Sequence, residues 1–198
     1  VINILSVAPS FNFGAQGELT VGDWGARGVS ASVTGPLNSG QTLAGRLFLA
    51  TRERDGYLDV VTGTAGPRTQ TDDVNQNFWT ARGQLLYVPS DSLTIRVIGD
   101  YTKRDESCCL ATQLQVGNAA NSRAAFINQV RPGSIDTSED PFSRTVYANR
   151  DTGQSIEDQG LSAQADWDIN DDVTLTSITA WRNWRAETGQ DSDFTAAD

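Results

Sequence analysis

The feature that most constrains this chain is a period-two alternation of apolar and polar residues over long runs. From Phe11 to Val21 the odd positions are Phe11, Phe13, Ala15, Gly17, Leu19 and Val21, and the even ones Asn12, Gly14, Gln16, Glu18 and Thr20. Side chains of a strand alternate between faces, so this run has one apolar and one polar face. The next run sets Val29, Ala31 and Val33 against Gly28, Ser30, Ser32 and Thr34. From Thr42, Leu43, Gly45, Leu47 and Leu49 alternate with Ala44, Arg46, Phe48, Ala50, Arg52 and Arg54. From Phe78, Trp79, Ala81, Gly83, Leu85 and Tyr87 alternate with Thr80, Arg82, Gln84 and Leu86. From Leu93, Leu93, Ile95, Val97, Gly99 and Tyr101 face away from Thr94, Arg96, Ile98, Asp100, Thr102 and Arg104. From Gly160, Leu161, Ala163, Ala165 and Trp167 oppose Ser162, Gln164, Asp166 and Asp168. The last run, Val173 to Trp184, is less regular, with Leu175 and Trp181 on one face and Ile178 and Ala180 on the other.

Helical periodicity is nearly absent, so the chain is predicted to be all-β, an antiparallel up-and-down meander of about seven long strands. Most runs reach about ten residues, beyond the five or six usual in soluble sheets and long enough to cross a bilayer at a tilt.

The connections alternate in length. Gly22–Gly25 is a tight turn, and Gly35–Gly40, Pro89–Ser92 and Asn170–Asp172 are short, whereas Asp55–Asn77 and Ser107–Ile156 are long. In a meander the short connections after the first hairpin gather at one end and the long ones at the other. Outer-membrane barrels have this asymmetry. Tyr87 and Trp167 fall on the apolar face beside short turns, while Trp79, Tyr101 and Trp181 fall on that face towards the other ends. Two aromatic belts flanking an apolar band are expected of a lipid-facing surface. The pattern therefore predicts a partial transmembrane β-barrel. No apolar stretch approaches the ~20 residues of a membrane-spanning helix.

The residue inventory excludes several functions. A net charge of -10 with no basic run is contrary to nucleic-acid binding. With no histidine, neither a Ser-His-Asp nor a Cys-His arrangement can form. Two adjacent cysteines, Cys108 and Cys109, cannot supply a tetrahedral metal site alone. Asp72-Asp73 and Asp171-Asp172 sit in turn-like stretches, where aspartate is favoured for turn chemistry. Gly14, Gly17 and Gly22 precede no helix, so they make no phosphate loop. We expect no enzyme, no catalytic residue, no metal and no cofactor.

Several segments, in order, resemble TonB-dependent outer-membrane receptors of Gram-negative bacteria. "VINIL", Val1 to Leu5, resembles the strand that ends the plug domain of that family. "GPLNSGQTLAGRLFLATRERDGYLDV", Gly35 to Val60, resembles its second barrel hairpin. "ARGQLLYVPSDSLTIRVIGDYTKRDESCC" and "LSAQADWDINDDVTLTSITAWRNWR" are similar to other early hairpins. The resemblance implies residues 1–10 as the end of a plug and 11–198 as the first strands of a plugged barrel of about 22 strands. It implies import of a scarce ligand such as a siderophore, cobalamin or a glycan across the cell outer membrane. The implied partners are outer-membrane lipid, the plug of the same protein, TonB through an N-terminal region, and a small-molecule or glycan ligand. The chain starts at Val1, contains no Met and ends just after a strand-like run, and we expect it to be part of a longer receptor. The rival expectation is a soluble secreted all-β binding or adhesion module.

In such a barrel Arg46, Arg52, Arg82 and Arg96 line the lumen with Gln84, Asp100, Gln164 and Asp166. These residues either pair across strands and pack against the plug, or some of the arginines hold the plug through charged hydrogen bonds. Arg52 and Arg54, near a strand exit, are alternatively placed to face an anionic ligand. In the longest loop Phe126, Phe142 and Tyr147 are candidate ligand contacts, or else form a small core of the loop itself. Cys108 and Cys109 then lie where the fifth strand leaves the membrane on an oxidising side. They bond either each other or cysteines elsewhere in the longer protein.

Overall fold

The computed structural model describes residues 5–63, 66–140 and 142–197. Among them are β1 (Gly14–Val21), β2 (Arg27–Pro36), β3 (Leu43–Arg54), β4 (Leu58–Thr62), β5 (Asp72–Asp73), β6 (Gln76–Ser90), β7 (Leu93–Glu106), α1 (Arg123–Val130), β8 (Thr145–Ala148), β9 (Gly153–Asn170) and β10 (Val173–Gly189). Seven of these strands form one antiparallel meander in the order β1-β2-β3-β6-β7-β9-β10, which is not closed on itself. The all-β meander of seven long strands is thus the architecture of the chain.

The turns follow from local chemistry. Between β2 and β3 the Asn38 carboxamide oxygen accepts the backbone N–H groups of Thr42 and Leu43, so one side chain closes the connection. Between β1 and β2, Trp24 and Gly25 both adopt positive φ, 53° and 64°. A Cβ at Gly25 would also meet the Asp55 carboxylate at 2.6 Å, a side-chain end that can swing aside, so it is the positive φ that favours glycine there.

The strand limits differ from the sequence expectation in four places. The first strand starts at Gly14 instead of Phe11. Ser10 N–H donates to Thr34 Oγ1 and Asn12 N–H to Ser10 Oγ, which draws this lead-in off the ladder. The turn expected at Pro89–Ser92 shrinks to two residues, because β6 runs on to Ser90 and a register shift between Tyr87 and Ser90 absorbs Pro89, which has no N–H to pair. At the far end β9 begins at Gly153, seven residues before the expected Gly160, because its first residues pair with β10 up to Gly189. The long connections are also not plain loops. β4 pairs with β5 and, in parallel, with β8, joining the two long connections in a three-stranded sheet.

That second sheet carries the buried hydrophobic core. Leu58, Val60, Leu110, Val146 and Ala148 pack together, with Tyr57, Val74 and Phe194 against them. The long connections and the residues after β10 form one loop lobe at the end of the meander. Val1 to Ile4 lie outside the described residues, so the segment expected to end a plug is described only from Leu5.

Candidate functional site

The register fixes which residues share each face of the large sheet. One rung runs Val33–Leu47–Gly83–Gly99–Leu161–Trp181, and the next towards the short turns runs Gly35–Gly45–Leu85–Val97–Ala163–Thr179. Beyond it lies Leu43–Tyr87–Ile95–Ala165–Ser177, then Leu93–Trp167–Leu175. This face is apolar and uncovered. Leu19 is 81% exposed, Leu161 56% and Trp181 58%. Leaving such a contiguous apolar surface open to water is costly, so the face is built for an apolar neighbour.

The aromatic residues on this face follow two inclined lines. Trp79 on β6 shares a rung with Thr51 and Lys103, Tyr101 on β7 lies one rung nearer the short turns, and Trp181 on β10 one rung further. With rungs about 6.8 Å apart and strands about 4.8 Å apart, this line descends at ~43° to the rungs. Tyr87 on β6 and Trp167 on β9 make a second line that also drops towards β10, at ~35°. Strands of membrane barrels tilt by about 35–45°. Trp79 and Tyr87 are separated by about 27 Å along β6, or ~21 Å in height at that tilt, against an apolar band ≈ 25 Å tall in such barrels. On the side of the Trp79–Tyr101–Trp181 line away from the short turns this face turns charged, with the pairs Lys103–Glu157 at 3.4 Å and Arg27–Glu53.

The opposite face is polar and networked. Arg46 donates to Ser32 Oγ at 3.2 Å, and Gln164 donates to Asp166, which also accepts from Thr176. Asp100 accepts from Arg182 at 2.9 Å and lies 3.9 Å from Arg82. Arg82 and Arg96 reach the lead-in segment at Ser6, and Gln84 reaches it at Val7. Arg52, opposite Gly28 in the β2–β3 register, is exposed. The structure therefore brings Arg82, Gln84, Arg96 and Asp100 into one neighbourhood. Arg46 and Arg52 stand apart from it, and Arg54 turns to the Val74 carbonyl at 2.6 Å.

The loop lobe is held by polar groups that sequence reasoning missed. Arg68 and Asp73 are an ion pair at 3.1 Å with both side chains at 0% exposure. Arg68 also donates to the carbonyls of Gln70, Asp72 and Arg150, and Thr152 donates to Asp73. Asp191, beyond β10, accepts the N–H groups of Asn149 and Arg150. The two long connections and the residues after β10 are thereby tied together.

Phe126 and Phe142 are exposed, and Tyr147 lies between buried Val146 and Ala148 on β8, so its ring is on the side away from the core. The reading of these three rings as a small core of the loop is corrected: aliphatic residues from three separate segments fill it, with Tyr57, Val74 and Phe194 packed against them. Cys108 and Cys109 are joined to each other by a disulfide. The pair sits between Ser107, bound to Asn75 and Gln70, and Leu110, which is buried in the lobe.

No family model and no curated protein matches this chain. A solved structure of the FpvAI–pyocin S2 complex matches it with a TM-score of 0.63 and 14% identity, over 89% of this chain and 20% of that one. FpvA is a TonB-dependent receptor, and this chain spans a fifth of the length of the matched chain. The likeness is one of fold: the open seven-stranded meander resembles part of a receptor barrel.

Proposed function

We propose that this chain is a section of the wall of a TonB-dependent outer-membrane receptor. Its apolar face meets lipid, its polar face lines an interior filled by a plug, and its loop lobe is turned to the ligand outside the cell. The observation that carries this reading is the uncovered apolar face bounded by two aromatic lines inclined at the tilt of barrel strands. A soluble sandwich would bury that face against a second sheet. Here the packed aliphatic core lies in the lobe instead.

The activity of the whole receptor is import of a scarce ligand, a siderophore or a cargo of similar size, driven through TonB by way of the N-terminal part of the longer protein. Phe126, Phe142 and Tyr147 are the rings this lobe offers to such a ligand, and Arg52 is an exposed cation near the same end. The reading assigns no catalysis to a chain without histidine.

Single-tryptophan variants of the intact protein in vesicles of brominated phospholipid test the reading. Trp79, Trp167 and Trp181 are expected to be quenched, and Trp184, on the polar face, to be spared. A protein that purifies as a monomer without detergent and shows no quenching would restore the soluble binding module.

A further inference from the structure

The polar face is covered at one place. Gln84 is 5% exposed and Ala44 is fully buried, and there the segment Leu5–Ser10 lies against β6 and β7. The bonds that hold it are directed mainly at its backbone. Gln84 Nε2 donates to the Val7 carbonyl at 3.0 Å, and Arg96 Nη2 donates to the Ser6 carbonyl at 3.0 Å. Arg96 Nη2 also donates to Gln84 Oε1 at 2.7 Å, which sets the carboxamide so that its nitrogen faces Val7. Arg82 Nη1 donates to Ser6 Oγ at 2.7 Å, with Asp100 behind it. Further along, Ser10 N–H donates to Thr34 Oγ1 at 2.8 Å. Arg96 Nε is buried and has no acceptor among the described residues.

We propose that Arg82, Gln84 and Arg96 form a backbone clamp that pins the lead-in chain at Ser6 and Val7 to the wall. The clamp fixes the register in which the preceding part of the protein is laid against the polar face. The inference rests on the reading of that face as the interior of a receptor. Two features make it a clamp and not incidental contact. Its grip is mainly on carbonyls, which every residue type offers, and a charged donor to a carbonyl is among the stronger hydrogen bonds. Its three members come from adjacent strands, with Gln84 and Arg96 set to each other before they meet the segment.

The test is hydrogen exchange at the Ser10 amide and at the β6–β7 ladder in the intact protein in detergent. Gln84→Ala, which removes both the donor to Val7 and the acceptor that sets Arg96, and Arg96→Lys, which breaks a charged hydrogen bond, are each expected to speed Ser10 exchange about tenfold with the ladder unchanged. Ser6→Ala, which keeps both carbonyls, is expected to speed it by less than about threefold. Arg46→Ala, on the same face but bonded to Ser32, should leave Ser10 unchanged. Unaltered Ser10 exchange in the Gln84→Ala/Arg96→Lys double variant would overturn the clamp. So would equal acceleration of the ladder, which would mark general loosening of the sheet. Lipid quenching reports separately: a soluble fold abolishes quenching and leaves the exchange result standing.

Discussion

Arg182 on β10 donates to Asp100 on β7 at 2.9 Å, reaching across the intervening strand β9 at Gly160. A Cβ at Gly160 would lie 3.2 Å from Arg182 Nη2, so the missing side chain is what lets the guanidinium lie flat across the rung. Arg182 also bonds Asp158, and a single cation thereby ties three strands of the polar face. Half-exposed pairs of this kind contribute ~0.2–1 kcal/mol. A double-mutant cycle of Asp100→Asn with Arg182→Gln is expected to give a coupling in that range. In a Gly160→Val background the coupling should vanish, read by urea unfolding in detergent.

Gly83 is the contrasting case. Nothing lies within 4 Å of a Cβ built there, and its backbone is not in the left-handed region. Gly83→Ala is therefore expected to stabilise the sheet by about 0.4–1 kcal/mol through the unfolded chain. Destabilisation on unfolding would mean that an unseen neighbour occupies that part of the apolar face.

The two faces should answer oppositely to the same charge. Leu47 lies on the apolar face near the middle of the band between the aromatic lines, and Phe48 lies on the polar face. Leu47→Arg in vesicles is expected to cost about 2–4 kcal/mol, the price of an arginine at mid-bilayer, whereas Phe48→Arg should be nearly neutral. Equal costs would reject the face assignment.

How much of this was legible in the sequence depends on the kind of interaction. The meander was readable because Leu47 and Leu49 alternate with Arg46 and Phe48, and that period recurs strand after strand. The inclination of the aromatic lines was not readable, because it needs the register between strands. The lobe left no periodic signal: β4 and β8 are short and pair residues as far apart in the chain as Asp59 and Thr145. Its core takes single residues from distant places, Leu110 among them. Arg68 and Asp73 look like ordinary loop polarity until the fold buries them together. Gln84 and Arg96 were legible as polar-face residues, but their partners at Val7 and Ser6 are backbone carbonyls, which carry no sequence signature.

The buried pair in the lobe gives a large local effect. Removing one partner strands a charge with no water, so Asp73→Ala is expected to destabilise the lobe by about 3–5 kcal/mol. Limited proteolysis should then cut within residues 55–75 and 107–152 while the seven-stranded sheet stays protected. Unchanged cleavage would show that Asp191 and the aliphatic core suffice to hold the lobe.

The adjacent cysteines should matter locally and little globally. A disulfide between neighbours closes no chain loop of any length, so it adds almost nothing through the entropy of the unfolded chain. Its effect is confined to the peptide between Ser107, tied to Asn75 and Gln70, and buried Leu110, with Cys109 held at φ 87°. Replacing Cys108 and Cys109 together by serine is expected to raise hydrogen exchange over residues 107–112, with sheet assembly and its unfolding midpoint unchanged. If the variant failed to assemble, the disulfide would be a determinant of the fold and not a fastener at the base of the loop.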